Sequence, residues 1–107
     1  MSGPLALLFL RAFLSPAGAG VIESFKPELF ESLQRKERTI VLHFYSPSCN
    51  VCAAQEKTLE LLVGEPGRQT PAGLQVDFES AEELRRIYGV TAPSTLLLFR
   101  GTRLIGR

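Results

Sequence analysis

The stretch Cys49-Asn50-Val51-Cys52 constrains this chain most, because it holds both of the cysteines present and follows a strongly patterned segment. That segment, Thr39 to Tyr45, reads TIVLHFY. It is β-branched, aromatic and apolar on both faces, which predicts a central strand covered on both sides. Ser46-Pro47-Ser48 breaks it, and a helix is expected from Cys49 to about Val63, with Cys52, Leu59, Leu62 and Val63 on one face. Cys49 then falls at a helix N-terminus, where free N–H groups and the positive end of the dipole favour a thiolate, the reactive form of the thiol. A three-residue offset brings Cys52 within one helical turn, near enough for a disulfide. Cys49 is expected to be the exposed attacking sulfur and Cys52 the inward resolving one. A Cys-x-x-Cys in a βαβ pattern is a redox signature. Two other readings are a structural disulfide and half of a metal site shared between two chains. One chain offers only Cys49, Cys52 and the single His43 as soft ligands, too few for a closed zinc site.

The remaining segments alternate. Pro27 opens a helix over about 27–35, with Phe25, Leu29, Phe30 and Leu33 at helical spacing. Residues 34–38 form a polar link. Gly64 to Gly73 reads as a loop, and Leu74 to Phe78 as a second strand. Ser80-Ala81-Glu82-Glu83 fits a capping box in front of a helix carrying Leu84, Ile87 and Tyr88, which Gly89 ends. Asp77, Glu79, Glu82 and Glu83 are read as solvated or capping groups. Thr95 to Phe99 is a third strand, and Gly101-Thr102 turns the chain into a fourth over Arg103 to Ile105. The order α, β, α, β, α, β, β implies an α/β fold with a mixed central sheet and helices on both faces. At 107 residues this is one domain. The net charge of +1 gives no electrostatic footprint for nucleic acid.

Residues 1–20 are of a different kind. Leu5 to Leu10 is wholly apolar, and Ala17-Gly18-Ala19 fits a cleavage pattern, so a secretory signal or anchor is expected. Against it, no Lys or Arg precedes the apolar run, and Arg11 interrupts it. The alternatives are an extra N-terminal helix packed on the domain, a transit segment and a mistaken start site. The run is shorter than the about 20 residues that span a membrane. A periplasmic or otherwise exported location follows if it is a signal, and a cytoplasmic one if not. The α/β pattern occupies residues 21–107.

Three stretches in order, VLHFYSPSCNVC, VDFESAEELRRIYGV and TAPSTLLLFRGTRLIG, resemble the thioredoxin-like family over roughly residues 22–107. The resemblance implies a thioredoxin-like fold and thiol–disulfide exchange with protein disulfides or dithiols through a Cys49–Cys52 redox-active disulfide. It implies a redox partner protein, no cofactor and a monomer. His43 stands six positions before Cys49, where members carry a buried acidic residue, and so becomes the candidate base for Cys52. Its simpler reading is a strand histidine with a satisfied hydrogen bond. Tyr45 is read as packing. Ala92, Pro93 and Ser94 match the substrate-docking loop, which implies a cis Ala92–Pro93 bond; the alternative is a trans bond with Ser94 in the family's proline position. Ser48 replaces the family's Trp, and Asn50-Val51 its Gly-Pro. The chain stops at Arg107, where members add a C-terminal helix, so a fold lacking that helix, or a fragment, is expected. The competing functions are a redox-inactive protein-interaction domain and an Fe–S carrier formed by two chains.

Overall fold

The computed structural model describes residues 22–63 and 70–107. The signal-or-helix expectation for residues 1–20 lies outside them. The described chain runs β1 (Ile22–Ser24), α1 (Pro27–Arg35), β2 (Thr39–Tyr45), α2 (Asn50–Val63), β3 (Ala72–Asp77), a 3₁₀ turn (Phe78–Ser80), α3 (Glu82–Tyr88), β4 (Leu96–Arg100) and β5 (Arg103–Gly106). The strands form one mixed sheet in the order β1-β3-β2-β4-β5. β1 and β2 lie parallel to β3, while β4 runs antiparallel to β2 and β5 antiparallel to β4.

The period-2 geometry of β2 divides the sheet. Ile40, Leu42 and Phe44 enter the main core with Leu74, Val76, Leu97 and Phe99, closed by Phe30 and Leu33 of α1. Leu84 and Tyr88 of α3 pack against the same cluster. Phe99 anchors it, with the Phe30 ring 5.2 Å away and the Tyr88 ring 5.2 Å away, both edge-on. Helix α2 covers the other face, burying Cys52, Leu59 and Val63.

Several expectations need correction. The short β1 was not expected; three residues carry no readable alternation, and its pairing with β3 alone makes it a strand. β3 begins two residues early, at Ala72, because Gly73 is a packing glycine: a Cβ there would meet Val63 Cγ1 at 3.2 Å and Ile22 Cγ1 at 3.3 Å. No capping box forms. Asp77 leads the 3₁₀ turn by accepting the Glu79 N–H, so Ser80 is used in that turn, and α3 starts after Ala81 without a side-chain cap. Leu62 is 53% exposed. At about 100° per residue it stands about 80° around α2 from Cys52, whereas Leu59 and Val63 fall within about 20°. Ile87 is likewise exposed. Gly89 does end α3, in the left-handed conformation with φ 66°.

Replacing Phe99, fully buried between two rings, tests this packing. Phe99→Ala is expected to cost about 3–5 kcal/mol, against about 1–1.5 kcal/mol for Phe99→Leu. Equal urea midpoints for the two variants would contradict the ring-anchored core.

Candidate active site

The site lies at the carboxyl end of β2, where ligands of open α/β sheets gather. Ser46, nearly buried, shapes the turn out of the strand. Its Oγ accepts the Ser48 N–H at 3.4 Å and lies 3.2 Å from the Ser48 Oγ. Its carbonyl accepts the Cys49 N–H at 3.0 Å. The chain is thereby delivered into α2 with Cys49 immediately ahead of the first helical residue. The Cys52 N–H donates to the Cys49 Sγ at 3.1 Å, so this sulfur serves one of the unpaired donors of the helix start. Cys49 and Cys52 form a disulfide, with Cα atoms 5.3 Å apart. Cys49 is half-buried, while Cys52 is 3% exposed and its Sγ rests 3.7 Å from the Phe44 carbonyl oxygen. Of the two, Cys49 is thus the more accessible and Cys52 faces inward.

His43 is fully buried on the α2 side of β2. Its Nε2 lies 3.1 Å from Oε1 of Gln55, one helical turn beyond Cys52. The Gln55 Nε2 donates to the Ser94 carbonyl at 3.1 Å. That carbonyl can only accept, so it fixes which end of the amide faces His43. Oε1 therefore accepts, the His43 Nε2 carries the hydrogen, and Nδ1 is a bare lone pair. Nδ1 is buried with no partner among the described residues. Sequence reasoning missed Gln55; in a helix otherwise read for apolar spacing, a lone Gln carries no signal of its own.

The loop of Ala92, Pro93 and Ser94 meets the pair by an unexpected route. The Ala92–Pro93 bond is trans, which overturns the cis expectation. Ser94 makes the turn instead, in the left-handed region at φ 67°. It has the N–H that a proline lacks, and donates it to the Phe44 carbonyl at 2.8 Å. This is the same oxygen on which the Cys52 sulfur rests, so the loop does lie beside the cysteine pair. The Thr95 Oγ1 donates back to the Ala92 carbonyl at 2.7 Å and closes the turn. A cavity of about 660 Å³ lies on the opposite side of the sheet, lined by Phe25, Phe30, Tyr45, Asp77, Leu84 and Ile87 among others, and holds neither cysteine. Tyr45, read as packing, lines that hollow and not the cysteine pair.

Burial holds the His43 pKa below its usual 6.5, with the Gln55 hydrogen bond and the Glu56 charge opposing the shift. Below about pH 6.5 the unfolded chain takes up a proton that the folded chain refuses, so stability falls as the pH drops from there through the folded pKa. Urea midpoints measured from pH 7.5 down to pH 5.5 should decline, and His43→Leu should flatten part of that decline. Parallel curves would contradict a buried neutral imidazole.

No family profile and no curated protein matches the sequence. Solved structures do match by fold. A protein named Trxlp from Edwardsiella tarda superposes with a TM-score of 0.72 at 24% identity, over 79% of this chain and 82% of that one. Thioredoxin f from spinach chloroplast gives 0.71 at 18% identity, over 87% and 83% of the two chains. A mutant thioredoxin from Halobacterium salinarum gives 0.70 at 19% identity, over 86% and 80%. With a mixed sheet between helices and a Cys49–Cys52 pair at the start of α2, the chain is a divergent protein of thioredoxin-like fold.

Proposed function

We propose that this protein is a thiol–disulfide oxidoreductase that acts on protein disulfides through Cys49 and Cys52. One observation carries the reading: a half-exposed Cys49 sulfur at the head of α2 already accepts a backbone N–H, at 3.1 Å. The same donor and the helix dipole stabilise negative charge on that sulfur once the pair is reduced. In the reducing direction the Cys49 thiolate attacks one sulfur of the substrate disulfide. The substrate S–S bond breaks, a bond from Cys49 to that sulfur forms, and the other substrate sulfur leaves as a thiolate that takes a proton from water. Cys52 then gives its proton to His43 Nδ1 as its sulfur attacks Cys49. The mixed disulfide breaks, the Cys49–Cys52 bond forms, and the departing substrate thiolate receives the proton. Two electrons pass to the substrate, and an external dithiol protein returns them. The oxidising direction reverses each step.

The trans Ala92–Pro93 bond and the absence of the family's Trp at Ser48 favour a second reading, a protein-interaction domain with little exchange activity. Export, in this proposal, rests on the apolar run of residues 1–20 alone.

Reduction of insulin disulfides by the protein, recycled by dithiothreitol, separates the two readings. Turnover is expected, with loss to background in Cys49→Ser. In the reduced protein, iodoacetamide near neutral pH should label Cys49 ahead of Cys52. No acceleration over dithiothreitol alone would favour the interaction domain, and preferential labelling of Cys52 would reverse the roles.

A further inference from the structure

The polar chain behind the cysteines is continuous. The His43 Nε2–H donates to Gln55 Oε1 at 3.1 Å, and the Gln55 Nε2–H donates to the Ser94 carbonyl at 3.1 Å. The Ser94 N–H donates to the Phe44 carbonyl at 2.8 Å, and Phe44 is the chain neighbour of His43. The circuit joins a buried ring on β2, one side chain of α2 and the loop before β4. Gln55 is the link between the ring and the loop.

We propose that Gln55 is a positioning residue that holds His43 in the Nε2–H tautomer and couples its proton state to the Ser94 loop beside the cysteines. The proposal rests on the exchange reaction above, in which His43 serves Cys52.

The physical argument has three steps. An imidazole has one acceptor nitrogen at a time, and an acceptor placed at Nε2 leaves the lone pair on Nδ1. A leucine at position 55 would remove that preference and let the ring take either tautomer. A proton gained at Nδ1 turns the Nε2–H into a charge-assisted donor to Gln55. The amide, pulled at its oxygen, becomes a stronger donor to the Ser94 carbonyl, because linked hydrogen bonds polarise one another. The loop is thus drawn towards α2 while His43 holds the Cys52 proton, and is released when the proton leaves. By reciprocity, a chain that docks on this loop and displaces the Ser94 carbonyl changes the basicity of His43. The other charge acting on His43 is that of Glu56, and the other titrating groups on the same helix face are the reduced cysteines. The residues paired with His43 across the sheet, Gln75 on β3 and Leu96 on β4, do not titrate.

His43 is the only histidine of the chain, so its ring nitrogens can be read without assignment in the full-length protein by ¹⁵N NMR. In the wild type at neutral pH the spectrum should show hydrogen on Nε2 and a bare Nδ1. In Gln55→Leu the ring should move to the Nδ1–H form or a mixture. Resolution of a mixed disulfide should slow about tenfold, the weight of one hydrogen bond, while attack by Cys49 keeps its rate. Gln55→Glu retains an acceptor for His43 and loses the donor to Ser94. It should keep the Nε2–H tautomer, raise the His43 pKa and shift the Ser94 and Thr95 amide signals. A wild-type Nδ1–H form overturns the proposal. So does a Gln55→Leu protein with tautomer or resolution rate unchanged, or, should that variant not fold, a Gln55→Glu protein with an unaltered His43 titration. The tautomer is read without any substrate. A chain that reduces no disulfide yet shows these spectra fails the proposed function and leaves the tautomer assignment standing.

Discussion

One carbonyl, that of Phe44, holds the working end of this fold together. It accepts the Ser94 N–H at 2.8 Å and supports the Cys52 sulfur at 3.7 Å. The Phe44 N–H meanwhile donates to the Thr95 carbonyl at 2.9 Å, so two short bonds seal the last turn before β4 against the last residues of β2. The Phe44 side chain is fully buried in the opposite core, so the strand cannot slide or rotate at this point without opening that core. A one-residue slip would exchange its two faces and place His43 among the rings of Phe30 and Phe99. The paired sulfurs, the loop beside them and the buried histidine are therefore positioned by a single well-packed strand.

Much of this could be read from residue pattern. TIVLHFY has the signature of a strand buried on both faces, and β2 has those very limits. Pro27 and Gly89 mark a helix start and a helix stop for local steric reasons, and both act as read. The Cys-x-x-Cys spacing after a strand and a Ser-Pro-Ser turn places Cys49 ahead of α2, because helix starts and disulfide reach are local properties. What escaped the sequence was decided by partners distant in the chain. β1 exists through its pairing with β3, and Gly73 belongs to a strand because α2 presses on it. Ser80 looked like a cap, yet Asp77 captured the turn first. The trans Ala92–Pro93 bond and the left-handed Ser94 depend on a hydrogen bond to a residue some fifty positions earlier. Gln55 becomes meaningful only once α2 lies across His43.

The interior behind the cysteines is polar by design of its connections. A buried imidazole with one satisfied nitrogen costs stability, since an unpaired buried acceptor is worth about 1–3 kcal/mol. An acid at the same place would be charged near neutral pH unless burial raised its pKa, whereas burial keeps His43 neutral there.

The central claim is that the Cys49–Cys52 bond is made and broken in use, rather than being a fixed staple. Equilibration of the protein in graded glutathione buffers, and in dithiothreitol buffers for the more reducing end, with the dithiol and disulfide forms counted by alkylation, measures this directly. The account predicts one reversible two-electron transition between about −270 and −120 mV, the span of proteins that exchange disulfides. A potential below about −300 mV, where structural disulfides lie, would contradict it.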